Sequence, residues 1–199
     1  MKKTMAFTSL LVVSFFAIYL AACSDGSTKP VANTMNSGEA TNEDIVKQGE
    51  HLVTTMGCND CHSPKKMGAN GPEVIQEQML SGFPSDRPIA KFDTKLIQSG
   101  FAVFYPDLTA AVGPWGMSFA ANLTPDSTGL GSWTEEQFKT AITKGKFKGL
   151  EHNRSLLPPM PWVNYANLSD KEVSSIFAYL KSIKPVRNLV PEPIAPGKL

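Results

Sequence analysis

The sequence predicts one mainly α-helical domain, because three segments begin with helix-capping residues and continue with apolar residues at helical spacing. The segments run from Thr41 to Met56, from Thr134 to Gly145 and from Ser169 to Pro185. Roughly 145 residues follow the polar N-terminal part of the chain, which suits a single domain. The chain contains no internal repeat.

The first predicted helix has a glycine in its interior. Thr41 is followed three residues later by Asp44, which is a variant of the capping box that marks a helix N-terminus. Gly49 costs this helix up to about 1 kcal/mol relative to alanine. We expect a second backbone to pass close to Gly49, and the alternative is a weak position in an exposed helix.

The two later helices have full capping boxes. Residues 134–137 are Thr-Glu-Glu-Gln and residues 169–172 are Ser-Asp-Lys-Glu. Gly145 ends the first of these helices and Pro185 ends the second. Four prolines between Pro185 and Pro196 predict an extended coil that lies over the domain or leads away from it.

The long segment 63–121 has little regular periodicity. We expect a helical turn at residues 74–80. Apolar residues with β-sheet preference at 101–105 and 117–121 predict a short hairpin around residues 106–116.

Residues 58–62, Cys-Asn-Asp-Cys-His, indicate where the chemistry of this chain occurs. Cys58 and Cys61 have the spacing at which two thiols form thioethers to the vinyl groups of one porphyrin. His62 follows directly, where its imidazole can bind the iron. The sequence therefore predicts one covalent haem c, and the absence of a second such motif predicts a mono-haem protein.

Two other kinds of site compete with haem attachment at this motif: a thioredoxin-type dithiol and half of a zinc site. Neither explains the histidine directly after the second cysteine. No strand–helix–strand pattern surrounds the motif, as a thioredoxin-like site would require. A zinc site needs two more ligands, and the remaining cysteine and histidines are Cys23, His51 and His152.

The N-terminus has the features of a lipoprotein signal. Lys2 and Lys3 precede an apolar run at 5–20, which is shorter than the ~20 residues of a membrane-spanning helix. The run ends in Leu-Ala-Ala-Cys, which resembles the bacterial lipobox, whose cysteine is acylated and becomes the first mature residue. We expect a signal peptide at 1–22 and lipidation of Cys23; the alternative is an ordinary cleavage site with a chance cysteine.

The next part of the chain is polar and the mature protein is close to neutral. Residues 23–40 cannot bury enough apolar surface to offset their ordering entropy, so we expect a lipidated flexible tether. The chain has 19 Lys and Arg and 18 Asp and Glu, and the signal peptide removes two lysines. The resulting charge near −1 argues against a nucleic-acid partner.

Met160 is the expected sixth ligand of the iron. It lies between Pro159 and Pro161, and prolines fix φ and remove backbone donors, so the loop should be stiff. A thioether is a soft, neutral ligand that raises the haem potential and suits electron transfer. We expect Met117 to pack beside Trp115 and Phe119 instead. The other candidates weighed are Met67, Met79, His51 and His152.

These features together resemble the class I cytochrome c family. The resemblance is closest to a bacterial branch whose motifs match Gly49–His62, Asn122–Asp126 and Pro158–Trp162, and it covers nearly all of Thr41–Arg187. It implies a helical haem domain at 41–187, in which 63–121 is a long inserted loop that would contain the short β-hairpin expected from its residues. Residues 188–199 would form a proline-rich C-terminal tail.

The resemblance also implies specific contacts. The first and last helices should cross near Gly49, with Phe177 or Tyr179 at the contact. The carbonyl of Gly71-Pro72 should orient the proximal imidazole, and Pro72 and Trp162 should contribute to haem binding.

The sequence leaves three functions open. The protein is a lipid-anchored electron carrier, or the cytochrome subunit of a respiratory dehydrogenase or oxidase complex, and in either case exchanges electrons with redox partner proteins of a respiratory chain. The alternative is a haem enzyme, a peroxidase or small-molecule reductase, with His152 or Arg154 above an open iron. We expect it in the cell envelope, on the exported side of the membrane, facing the periplasm in a Gram-negative cell.

Overall fold

The structure, a computed structural model, describes residues 41–91 and 93–199. The predictions made for residues 1–40, including the lipidation of Cys23, lie outside this part of the chain. No helix in the described part is long and apolar enough to cross a membrane.

The described residues form five α-helices: α1 (Asn42–Thr55), α2 (Cys58–His62), α3 (Thr94–Gln98), α4 (Glu135–Lys144) and α5 (Asp170–Ser182). The three helices predicted from capping boxes are α1, α4 and α5. In each, the hydroxyl of Thr41, Thr134 or Ser169 accepts a hydrogen bond from the third helical amide, and the third side chain binds back to the cap. Gly145 ends α4 in a left-handed conformation, with φ of 63°.

Helices α1 and α5 pack against each other most extensively, and Gly49 lies where they cross. A Cβ atom at Gly49 would overlap the carbonyl oxygen of Ser175 and lie 2.8 Å from the Cβ of Tyr179. The predicted close approach is therefore confirmed, with Tyr179 at the contact. Phe177 packs instead on Phe138, with ring centroids 5.4 Å apart.

The main core lies between these helices and α4. Each fully buried aliphatic or aromatic side chain contributes about 1.5–3 kcal/mol to folding. The nine buried members are Val53, Leu80, Leu130, Phe138, Ile142, Val173, Ile176, Tyr179 and Leu180.

Two small antiparallel sheets form within the long middle segment. The first sheet pairs β1 (Lys65–Gly68) with β2 (Gly71–Val74). The second has three strands in the order β3 (Val103–Phe104), β4 (Ala110–Gly113) and β5 (Gly116–Phe119). The predicted pairing of 101–105 with 117–121 is wrong. Both segments contain strands, but each pairs with β4, which lies between them. The helical turn expected at 74–80 is a 3₁₀-helix at Gln76–Gln78.

The C-terminal segment is extended and lies along β5. The backbone amide of Met117 donates to Ile194, and the amide of Ile194 donates to Met117, at 2.8 and 3.0 Å. Asn188 in the same segment is buried. The segment therefore covers one edge of the three-stranded sheet.

Lys65 connects the short helix α2 to the three-stranded sheet region. Carbonyls at a helix C-terminus lack intrahelical partners and interact favourably with a cation. The three N–H groups of the Lys65 ammonium lie closest to the backbone oxygens of Asp60 (2.7 Å), Asp107 (3.0 Å) and Ser63 (3.1 Å), and a fourth oxygen, that of Asn59, lies at 3.4 Å.

Replacing Gly49 by alanine should destabilise the protein. Alanine improves helix propensity by up to about 1 kcal/mol, but overpacking costs about 1–3 kcal/mol, and here the obstacle is backbone that cannot rotate away. Urea unfolding of the purified protein measures the balance between these two effects. Gln48→Ala, at an exposed position of the same helix, is the control and should change stability by less than ~0.5 kcal/mol. Equal stability of the two variants would contradict the close approach.

Lys65→Met should lower the free energy of unfolding by about 1–3 kcal/mol, because it removes charged hydrogen bonds from backbone carbonyls, two of which belong to the buried residues Ser63 and Asp107. The fraction of chains with covalently attached haem should fall as well, since α2 loses its connection to Asp107. Lys66→Met removes the same charge from a neighbouring exposed residue and should have little effect. If both variants lose stability equally, the loss comes from the change in net charge and not from the contacts of Lys65.

Candidate functional site

Two cysteines lie on one face of α2. Cys58 and Cys61 are three residues apart, so their side chains are neighbours on the helix surface. Both are half-buried and neither forms a disulfide. Gly57, with φ of 70°, makes the left-handed turn that separates α2 from α1.

The electrostatics of these thiols do not suit a dithiol redox site. Burial raises the pKa of Cys58 to about 11, and burial also raises the pKa of Cys61. Reactive Cys-x-x-Cys motifs depend on a lowered thiol pKa. Within residues 41–91 and 93–199, no three His, Cys, Asp or Glu side chains are grouped as a metal ion would require. The zinc interpretation therefore has no further ligands here.

His62 is held by a single backbone carbonyl. Its Nδ1 donates to the carbonyl oxygen of Ala121 at 2.8 Å. Burial lowers the pKa of His62, which favours the neutral ring. Because Nδ1 carries the proton, Nε2 is the nitrogen with a lone pair available to a metal.

The expectation that Gly71-Pro72 supplies this carbonyl is wrong. Residues 65–74 form the hairpin of β1 and β2, in which Pro72 lies opposite Met67 and is exposed. The carbonyl comes instead from Ala121, a residue far along the chain that no local motif marks. Pro72 therefore has no role in orienting His62.

The segment 80–83 lies between the cysteine motif and Ala121 and joins them. Four hydrogen bonds make this connection: Leu80 N to Ser63 Oγ (2.8 Å), Gly82 N to His62 O (2.8 Å), Phe83 N to Ala120 O (3.0 Å) and Leu123 N to Leu80 O (2.8 Å). Ser63 and Gly82 are buried, so the bonds are shielded from water. The position of Ala121 relative to His62 is thus set by a continuous backbone network.

The sequence Asn-Leu-Thr-Pro-Asp at 122–126 stabilises this network. The side-chain NH₂ of Asn122 donates to the backbone carbonyl of Val186 at 2.8 Å. The side-chain oxygen of Asn122 accepts from the backbone N–H of Thr124 at 2.9 Å. The Thr124 hydroxyl accepts from the amide of Val186 at 3.0 Å. The buried Asn188 then donates to the carbonyls of Ser81 and Phe83. The motif fixes the C-terminal segment against the loop that carries Ala121.

Met160 is half-buried in the loop before α5. Its amide donates to the carbonyl of Leu157 at 3.3 Å. Trp162 begins a 3₁₀-helix at Trp162–Tyr165, and its indole fills the space where a Cβ of Gly145 would be.

Tyr165 brings this 3₁₀-helix next to the cysteines. Its hydroxyl donates to the carbonyl of Met56 at 3.3 Å. Burial raises the pKa of Tyr165, with smaller contributions from Cys58 and Cys61. The 3₁₀-helix that follows the Met160 loop therefore lies beside the end of α1 and the two thiols.

The remaining candidate ligands differ widely in how far they are buried. Met117 is only 1% exposed, inside β5, whereas Met67 is 76% exposed. Met79 packs half-buried against the main core. His51 and His152 are both exposed.

The residues at this site fit a covalently bound haem. Two unpaired thiols share a helix face, and the neighbouring imidazole is fixed with Nε2 as its free nitrogen. Cys58 packs against the main core, and so do several apolar side chains that are only half-buried. These side chains are Met56, Met79, Leu123, Trp133 and Tyr165.

Comparison with known proteins identifies relatives among dehydrogenase subunits. The chain is 34% identical over 172 residues to the cytochrome c subunit of the quinone alcohol dehydrogenase of Gluconobacter oxydans, covering 85% of this chain and 26% of the relative. It is 26% identical over 183 residues to the fructose dehydrogenase cytochrome subunit of Gluconobacter japonicus, covering 90% and 29%. It is also 26% identical over 150 residues to the gluconate 2-dehydrogenase cytochrome c subunit of Pantoea cypripedii, covering 74% and 25%.

The chain spans less than a third of the length of each of these relatives. The family model described as cytochrome c matches residues 46–184, which includes the cysteine motif, the Met160 loop and α5. The chain therefore belongs to the cytochrome c family and carries one covalently bound haem c.

Proposed function

We propose that the protein passes single electrons between redox partner proteins and performs no bond chemistry on a substrate. The haem supplies one-electron Fe(II)/Fe(III) chemistry. Cys58 and Cys61 would hold it covalently, and Nε2 of His62 would bind the iron. The observation that carries this proposal is the hydrogen bond from His62 Nδ1 to Ala121, because it fixes the tautomer that a metal ligand needs.

Met160 is the proposed ligand on the opposite side of the iron. The 3₁₀-helix that directly follows its loop lies beside the thiols through Tyr165, and a half-buried thioether is a soft ligand that stabilises Fe(II). Trp162 would border the haem, because it follows Met160 closely and is wedged against Gly145. These residues would exclude water and small molecules from the iron.

We further propose that the electrons come from a dehydrogenase. Three relatives are cytochrome subunits of alcohol, fructose and gluconate dehydrogenases by name. A chain of this family would receive electrons from such a catalytic subunit and pass them on to a respiratory chain, either as a subunit of the complex or as a separate membrane-anchored carrier.

The enzyme alternative requires a polar acid or base above an open iron. The residues considered for that role were His152 and Arg154, and both are exposed. The Arg154 guanidinium lies 4.0 Å from the centroid of the Phe147 ring and donates to the carbonyl of Ser155. These contacts hold Arg154 in a surface loop, which favours electron transfer over the enzyme alternative.

The location follows from the N-terminal sequence. Residues 1–22 would direct export, and Cys23 would be acylated and hold the domain at the membrane through the tether 23–40. The haem domain would then lie on the exported side of the membrane, which is the periplasm in a Gram-negative cell.

Met160→Ala should open the sixth coordination position. The oxidised protein should lose its sulfur-to-iron absorption band, the reduced protein should bind carbon monoxide, and the reduction potential should fall because water or hydroxide does not favour Fe(II). Optical spectra and a redox titration measure these changes.

Two methionines serve as controls for this variant. Met67→Ala, at an exposed site, should change neither the spectra nor the stability. Met117→Ala should lower stability by about 2–5 kcal/mol through a core cavity but keep the band. If wild type already binds carbon monoxide rapidly and consumes peroxide, the enzyme alternative replaces the electron-transfer proposal.

Cys23→Ser should release the protein from membranes or leave an uncleaved precursor. One acyl chain anchors a protein only marginally, whereas a diacylglyceryl group with an added amide-linked chain holds it stably. Detergent phase partitioning measures the anchor, with Ser27→Ala in the same tether as the control. Unchanged partitioning of Cys23→Ser would place the anchor elsewhere.

A further inference from the structure

We propose that Ser118 is a positioning residue that holds the Met160 loop in the conformation that binds iron. The three-stranded sheet of the inserted segment would then determine the distal ligation of the haem. This inference rests on the proposed ligation by Met160.

The Ser118 hydroxyl lies in β5 and makes one short hydrogen bond. The residue is 8% exposed, and its Oγ is 2.6 Å from the carbonyl oxygen of Pro158. The carbonyl of Ala111 is 3.4 Å away. A hydroxyl has a single proton to donate, so the shorter contact to Pro158 takes it.

Trp115 strengthens this bond. Its indole N–H donates to Ser118 Oγ at 3.2 Å. A hydroxyl that accepts one hydrogen bond donates a stronger one, because the two bonds polarise each other. Trp115, Ser118 and Pro158 therefore form a short chain of hydrogen bonds from the sheet to the loop.

Residues 157–161 make few other hydrogen bonds. Prolines at 158, 159 and 161 provide no backbone donor. The remaining backbone bonds of residues 157–161 are local, from Met160 to Leu157 and from Asn164 to Pro161. In the described part of the chain, the bond from Ser118 is the one hydrogen bond that joins residues 157–161 to a distant segment.

The same short segment also controls the proximal side. Ala121, three residues after Ser118, accepts the hydrogen bond from His62. The backbone between them is held by Ala120, whose amide donates to the carbonyl of Thr109 at 2.8 Å. Residues 118–121 thus determine the positions of the His62 ring and of the Met160 loop together.

The effect should be largest in the oxidised protein. A soft thioether is a poorer ligand for Fe(III) than for Fe(II), so a hard ligand competes more effectively after oxidation. An attachment that holds the loop then decides whether Met160 stays bound. Removing the hydrogen bond from Ser118 should make Met160 easier to displace by a hard ligand. It should not change the covalent attachment of haem at Cys58 and Cys61.

The experiment compares Ser118→Ala with Ser175→Ala in the full haem-loaded chain. Ser175 is equally a buried serine, but its hydroxyl has no hydrogen-bond partner, so it is a matched control. Two quantities are measured on the oxidised protein: the pH at which the sulfur-to-iron band disappears and the affinity for added imidazole.

We expect Ser118→Ala to lose the band about one pH unit earlier and to bind imidazole roughly tenfold more tightly, which is the size of one net hydrogen bond. Trp115→Phe, which keeps the hydroxyl but removes its donor, should shift both quantities in the same direction by less. Ser175→Ala should remain within about twofold of wild type.

Met160→Ala tests ligation by Met160 separately from the positioning role of Ser118. If Met160→Ala keeps the band, the proposed ligand is wrong and the role of Ser118 falls with it. If Met160→Ala loses the band while Ser118→Ala and Trp115→Phe behave like wild type, the ligand stands and the role of Ser118 is overturned.

Discussion

The hydrogen bond between His62 and Ala121 is the constraint on which the site depends. It joins residues 59 positions apart, so it exists only when the intervening chain is folded. The segment 80–83, the buried Asn122 and Asn188, and the C-terminal segment all contribute bonds that place this one carbonyl. The long middle segment is therefore part of the site and not an addition to it.

Most of the features that the sequence predicted correctly are local. Each capping box uses residues within one helical turn, so Thr41, Thr134 and Ser169 mark their helices without knowledge of the rest of the fold. The cysteine motif is local for the same reason, since one porphyrin requires the two thiols and the histidine close together in sequence. Gly49 indicated a close backbone contact, because a glycine in a helix interior lowers the stability of the helix and needs such a reason.

The features that the sequence did not predict depend on distant contacts. Nothing in the residues around Ala121 indicates that its carbonyl accepts from His62, and the resemblance placed that role at Pro72 instead. Strand β4 is four residues long and has the composition Ala-Ala-Val-Gly, so no alternation marked it. The chemistry of Asn122–Asp126 became clear only when Val186 was placed beside it.

The crossing at Gly49 has a consequence for the order of folding. Its two helices are on the order of 120 residues apart in sequence, and closing so long a loop costs entropy before any contact repays it. Helix α5 reaches Gly49 only when the residues up to Ser182 are present, whereas α2 directly follows α1. The thiols of Cys58 and Cys61 therefore remain accessible while the chain is only partly folded. Packing of α5 against α1 then completes the domain.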